Sequence, residues 1–552
     1  MNRSGEGLSS RAVASLDRRQ LLTALLGASV VSQSSCRPRR PEVDGEFVET
    51  GLSLGHRIRD GFRPSPTTWK KVDVVVVGGG IAGLSAGWRL RQSGIKDIVL
   101  LELAPVAGGT SRSAQHNGIG YPWGAHYLTV PMRENRALIR LLREMGVVTG
   151  TDERGDPIVS ETCLCREPEE RLFFQGRWLA GLYPSLGASQ EDRQQLQEFR
   201  AVMGQWAGQR DASGRRVFAI PIAESADLQD VNEMDRISMG DWMCRQGWTS
   251  ARLRWLVDYA CRDDYGLSLS ETSAWAGMFY FASRMRTADE GSQSVITWPS
   301  GNGHIVHYLT QQLGQMVQTG HAVTEVIPAT TTDQRIRVVA FNQEQSQAVG
   351  FEAQHVILAT PQFLTQRLLP HELRRDVGDF QYGTWVVANV HLQDRPIESG
   401  FPMCWDNVIH DSKSLGYVVS THQTGRDHGP TVLTWYHPLT DVEPSLSRQD
   451  LLKLSWSHWA DVVLCDLEVA HPDIRQLVTR IDIMRWGHAM IQPRPSFIQS
   501  RTRRAAAHPK SGIHFAGADL SGVALMEEAF YHGVRSAEEV LADRGHAFAT
   551  FF

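Results

Sequence analysis

Charge of one sign, long apolar runs and cysteine are all scarce in this chain, and each shortage narrows what the protein can be. Its 56 basic and 61 acidic residues leave a formal charge of −5 with no block of like charge, so the basic footprint of a nucleic-acid-binding surface is missing and no nucleic-acid partner is expected. There are seven cysteines in 552 residues. Those at positions 163, 165, 244, 261, 404 and 465 have none of the spacings of a zinc site, so no metal centre is expected. Cys163 and Cys165 sit close together in sequence and read as an unlinked pair. No repeat or low-complexity tract is present.

The apolar run from Leu21 to Val31 falls short of the roughly 20 residues that cross a bilayer as a helix. It follows Arg18 and Arg19 and ends near Cys36, so residues 1–36 read as a twin-arginine signal peptide. The alternative is an amphipathic or disordered tail. The twin-arginine machinery carries proteins already folded, which suits a chain whose cofactor is inserted before it leaves the cytoplasm. Ser34-Ser35-Cys36 resembles a lipoprotein cleavage site. A periplasmic location is expected, with Cys36 a candidate lipid anchor.

Residues 37–70, with little periodicity, read as a linker or surface arm. Val74 to Val77 is an unbroken β-branched run, as in a parallel strand covered on both faces. Ala82 to Gln92 suits a helix, and Asp97 to Glu102 forms a second short strand, completing one βαβ unit. Two more apolar strands ending in small residues follow at His355–Pro361 and Gly512–Leu520. Between them lie stretches rich in Trp, Tyr and charge. The expected fold is therefore α/β, a Rossmann-like domain built from residues 71–135, 291–376 and 501–552. An α+β substrate domain is inserted at 136–290 and 377–500.

Gly78, Gly80 and Gly83 form GxGxxG directly after the first strand. The first glycine permits the tight turn, the second lets backbone approach a pyrophosphate, and the third lets helix pack on strand. The helix opening at Ile81 and Ala82 then offers unpaired N–H groups and the positive end of its dipole to phosphate. Glu102 closes the second strand, where a carboxylate accepts hydrogen bonds from an adenosine ribose. Together these read as a dinucleotide site.

Gly108-Gly109, within ELAPVAGGTSRS, resembles the glycine-doublet FAD family of amine oxidases, phytoene desaturases and protoporphyrinogen oxidases. The resemblance implies FAD as cofactor, with the doublet crossing beside its diphosphate. That family usually has Arg after the doublet; this chain has Thr110, with Arg112 two positions on as substitute. Trp298–Leu313 and His321–Val326 are similar to the family's Pro-x-Gly-Gly helix and the strand that meets adenine near Val323. GIHFAGADLSGVALMEEAFYHGV resembles the second FAD signature. The resemblance implies that Gly517 and Asp519 serve the ribityl and diphosphate region and that the helix opening at Met526 and Glu527 lies beside the flavin. Where the family often has Glu-Gly-Ala, this chain has Glu527-Glu528-Ala529. Gly124, Ala125 and His126 match a family segment lining the isoalloxazine.

The reaction implied is oxidation of a small molecule, an amine or a large apolar one, by hydride transfer to flavin N5. A desaturase or isomerase of a polyene or porphyrinogen is the alternative, and a non-catalytic escort protein is a third. Amine oxidases of the family commonly place a lysine on the strand that is here Thr384–Leu392, which has none; a quinone or another acceptor thus stays open beside oxygen. Trp486 and His488, in RWGHAM, and His126 are the catalytic candidates, with His488 as acid or base. Tyr417, His422, Trp435 and His437 are further candidates for the pocket wall. Asp263 and Asp264 are read either as a cationic-amine site or as a helix terminus and solvated turn.

Overall fold

The computed structural model describes residues 43–48, 51–287, 294–331 and 334–552. Gly45–Phe552 form one compact unit. Arg18, Arg19 and Cys36, on which the export reading rests, lie outside the described residues.

In chain order, the elements that position the site begin with α1 (Leu52–Arg59), β1 (Trp69–Val77), α2 (Ile81–Gln92), β2 (Ile98–Leu101), β3 (Glu170–Phe174), β4 (Arg177–Ala180) and α3 (Ala251–Tyr265). Next come β5 (Val317–Gln318), β6 (His321–Ile327), β7 (Ile336–Asn342), β8 (Gln347–Leu358), β9 (Tyr382–Leu392) and β10 (Asp406–Ile409). The chain ends with β11 (Tyr417–Val419), β12 (Thr431–Pro438), β13 (Val478–Ile491), β14 (Ile513–Phe515) and α4 (Met526–Asp543).

The first of two seven-stranded sheets runs β5-β2-β1-β8-β7-β6, with β14 also on β8. β1 lies parallel between β2 and β8, which is why its valines are buried on both faces. Val74 and Val76 enter a core with Leu84 and Trp88 of α2 and Phe530 and Val534 of α4. Val75 and Val77 enter another that holds Leu54 and Ile58. The stretch read as a surface arm therefore contributes a helix, α1, whose two apolar residues face inward. β8 serves two neighbours along one edge, β7 over residues 347–353 and β14 over 356–358. The C-terminal ends of β1, β8 and β14 thus stand side by side.

The second sheet runs β13-β9-β12-β11-β10-β3-β4, antiparallel except between β10 and β3. β9 is buried along its whole length. α4 and α2 pack closely because Gly533 has no side chain: a Cβ there would lie 2.0 Å from Ser85 Oγ and 2.2 Å from Ala82 O. Among the described residues, no helix is long and apolar enough to cross a membrane.

Candidate functional site

The loop after β1 turns in a way only glycine allows. Gly78 has φ +106°, and a Cβ there would meet Ala359 O at 2.5 Å; at Gly83 it would meet Gly78 O at 1.9 Å. Both glycines are used up by packing within the protein. Gly80 differs, since the nearest atom to an added Cβ is Gly109 Cα at 4.0 Å. Its open side is free for a ligand. α2 starts at Ile81 without a side-chain cap, so the N–H groups of its first turn remain available to an anion.

The doublet lies against this turn, with Gly108 N donating to Gly79 O at 2.7 Å. Gly108 and Gly109 both have positive φ. Thr110 acts through its carbonyl, which accepts from Ala125 N at 2.9 Å, and a Cβ at Gly124 would lie 2.3 Å from that oxygen. This seats Gly124 and Ala125 beside the doublet. Glu102 accepts from Gly79 N at 2.6 Å through Oε2 and from Ala104 N at 2.7 Å through Oε1, so it also staples the turn. Burial raises its pKa, against those hydrogen bonds. Its backbone carbonyl accepts from His321 N at 2.8 Å, which brings β6, and the buried Val323, to the end of β2.

Across β8, Gly517 and Asp519 follow β14, two strands or about 10 Å from the end of β1. Asp519 Oδ2 accepts from Tyr382 OH at 2.7 Å and Gln362 N at 2.9 Å. Its Oδ1 is buried with no partner, and so is Nε of the buried Arg112. Desolvation, partly offset by Glu102, lowers the Arg112 pKa to about 10. An unpaired acceptor, an unpaired cationic donor and an open glycine cradle at one sheet edge fit a bound dinucleotide, whose hydroxyls and phosphates complete them. α4 begins at Met526, and Glu527 Oε1 accepts from Thr129 N and Oγ1 at 3.1 and 2.9 Å. Glu528 points elsewhere, accepting from Ile222 N at 2.7 Å and Ser521 Oγ at 2.5 Å.

On the second sheet, His126 stacks on Tyr436 at 4.7 Å, with Trp405 at 5.4 Å and Tyr127 at 5.2 Å. Tyr436 OH donates to Gly124 O at 2.9 Å. Burial pushes the His126 pKa down to about 4, so it is a neutral ring at pH 7. Trp486 Nε1 donates to Trp123 O at 2.9 Å, and the Arg112 guanidinium lies 5.5 Å from its ring. His488 stacks on Phe363 at 4.2 Å, close to Tyr382, apart from the His126 group.

Four wall candidates are tied up elsewhere. Tyr417 bonds His471, Trp435 donates to Asp466, His437 meets Lys413 O, and His422 meets Arg166 O. For the two on β12, strand alternation is the reason: Thr434 and Tyr436 face Asn389 and Gly124, so Trp435 and His437 point the other way.

The Asp263-Asp264 pair is no solvated turn. Asp264 is buried and pairs with Arg284 at 2.6 Å. Asp263 and Asp406 are closely surrounded by the protein, yet each keeps part of its surface accessible. Tyr259 OH donates to Asp406 Oδ2 at 3.3 Å. Desolvation first, then a neighbouring carboxylate, raises both pKa values. Neither carboxylate has an ion-pair partner among the described residues.

Residues 81–541 match the model of the family described as flavin containing amine oxidoreductase. The chain belongs to that family. FAD is the cofactor of this flavin-containing amine oxidoreductase, and the protein is an oxidoreductase. It is 23% identical to bovine flavin-containing amine oxidase B over 493 residues, which is 86% of this chain and 87% of that one. Over 297 residues it is 26% identical to a putative flavin-containing monoamine oxidase of Mycobacterium tuberculosis, spanning 52% of this chain and 57% of the relative. Among solved structures, a putrescine oxidase variant superposes with TM-score 0.63 at 17% identity, covering 86% of this chain and all of that one. A fatty acid isomerase from P. acnes shares the fold with TM-score 0.59 at 13% identity, covering 86% of this chain and 98% of that one.

Proposed function

We propose that this amine oxidoreductase oxidises the C–N bond of an amine recognised as a cation, and that it is exported folded by the twin-arginine machinery. The observation that carries the substrate class is the pair Asp263 and Asp406, two partly accessible carboxylates with no ion-pair partner among the described residues, the first of which raises the pKa of the second. Placing an ammonium between them removes that repulsion. His126, Tyr436, Trp405 and Tyr127 supply the aromatic wall on which a cation or its alkyl chain packs. The fold shared with putrescine oxidase agrees with this reading.

When bound, FAD supplies the redox chemistry, accepting a hydride from a substrate C–H at N5. The chain positions and encloses. Gly78, Gly80, Gly83 and the α2 N-terminus would hold the pyrophosphate with Arg112 and the Gly108-Gly109 backbone. Glu102 and Val323 would hold the adenosine, and Gly517 and Asp519 the ribityl chain. The N-terminus of α4, at Met526 and Glu527, would favour negative charge on the reduced ring. Trp486 and His126 would line the ring's surroundings and keep water out, His126 as a neutral group. His488, stacked on Phe363, would act from the rim near Tyr382.

The test is anaerobic reduction of the purified flavoprotein by polyamines and aromatic amines against porphyrinogens and polyenes. Bleaching by amines alone supports the proposal; bleaching only by non-amines refutes it. Export is tested by changing Arg18 and Arg19 to Lys and locating the protein, where continued delivery outside the cytoplasm overturns the route. Labelling with a lipid precursor decides whether Cys36 is the anchor.

A further inference from the structure

At the end of α4 remote from Met526, three side chains from three separate segments converge. His514 Nε2, on β14, lies 3.4 Å from Nδ1 of His355 on β8 and 3.6 Å from Oδ2 of Asp543, the last residue of α4. All three ligand atoms lie within 4.8 Å of one another. Zinc–nitrogen bonds of about 2.0–2.1 Å give a coordination tetrahedron with edges of about 3.3–3.4 Å. Side chains already at these separations need only small shifts to close on one cation.

We propose that His355, His514 and Asp543 form a binding site for a divalent transition-metal ion of the zinc type, with water completing the shell. The surroundings support it. The other ring nitrogen of the fully buried His514, Nδ1, lies 3.1 Å from Glu539 Oε2. That carboxylate can accept a hydrogen bond from Nδ1–H, which leaves the Nε2 lone pair toward His355 and Asp543, the arrangement that orients a metal-bound imidazole. Glu539 is itself held by Arg535. The Asp543 side chain is 52% exposed, which gives the ion an entry path and room for water. At 1.5 Å per residue the site is about 26 Å along α4 from Met526. The ion would therefore be structural, fastening α4 to β8 and β14.

The experiment strips the purified flavoprotein with a chelator and titrates it with zinc chloride against a chromophoric competitor, then repeats the titration with cobalt(II). One zinc per chain, a tetrahedral cobalt spectrum, a raised Tm and unchanged turnover are expected. Asp543→Asn and His355→Ala, checked for normal flavin content, should bind zinc at least about tenfold more weakly, and Glu539→Gln about 10- to 100-fold more weakly. Two results would overturn the proposal: no stoichiometric binding, or wild-type affinity in both ligand variants. Either would leave His514 as a hydrogen-bonding bridge between Glu539 and Asp543.

Discussion

Gly80→Ala separates what the fold asks of the dinucleotide turn from what the cofactor asks. Gly80 has φ −74° and ψ −179°, a backbone conformation open to alanine, and an added Cβ meets nothing nearer than Gly109 Cα at 4.0 Å. Without flavin, the substitution should only restrict the unfolded chain, raising stability by about 0.4–1 kcal/mol. The same methyl group would intrude where the pyrophosphate is assigned. Overpacking of that kind costs about 1–3 kcal/mol, equivalent to an FAD affinity about 5- to 150-fold lower. Gly83→Ala should behave in the opposite way. Its Cβ would sit 1.9 Å from Gly78 O, about 1.5 Å inside ordinary contact, so α2 must lift from β1 and both apo and flavin-bound protein lose stability. Flavin absorbance per chain after dialysis, with thermal midpoints of the apo-protein, reads both effects. A Gly80→Ala protein with undiminished FAD affinity would refute the placement of the diphosphate.

Asp519→Ala removes the unpaired Oδ1 acceptor and should cut FAD retention at least tenfold, since a charge-assisted hydrogen bond is worth about 1.5–3 kcal/mol. Tyr382→Phe, which loses one of the two donors holding Oδ2, should cut it less; equal retention by all three proteins counts against the ribityl assignment. Asp263→Asn should raise KM for a cationic amine about 30-fold or more, as loss of one partner from a buried charge pair costs about 2–5 kcal/mol, and a neutral substrate should be unaffected. Glu528→Gln carries a pH signature. Burial holds the Glu528 proton up to about pH 7 in the folded protein, against an ordinary value of 4.5, so the wild type loses stability as pH rises through that window. The variant's Tm advantage should grow from pH 4.5 to 7 and level off above, with a slope of up to about 1.4 kcal/mol per pH unit. A difference independent of pH would show that Glu528 ionises normally.

Much of the cofactor site was legible along the chain because its demands are local. A strand covered on both faces shows as Val74–Val77, and the turn after it shows as glycines at fixed offsets, since positive φ and helix–strand contact exclude side chains there. Glu102 and Asp519 could be read the same way, as acids closing short apolar strands. The substrate pocket was legible only in part. Tyr436 was passed over for Trp435 and His437, because which face of β12 turns inward depends on its pairing with β9. Asp263 was legible as a carboxylate beside Asp264, but its burial, and its effect on Asp406 on a strand of the other half of the insert, were not.

The covalent order of residues determined the elements and the dinucleotide turn, because backbone sterics and side-chain periodicity act over a few neighbours and leave a mark in any short window. Tertiary structure decided which ionisable groups influence one another: Asp263 and Asp406, Arg112 and Glu102, and His355 with His514 and Asp543. The last of these depends on β8 taking two partners on one edge and on α4 closing against that sheet. Electrostatic and coordination energies act across space, between atoms whose separation along the chain carries no information about their distance.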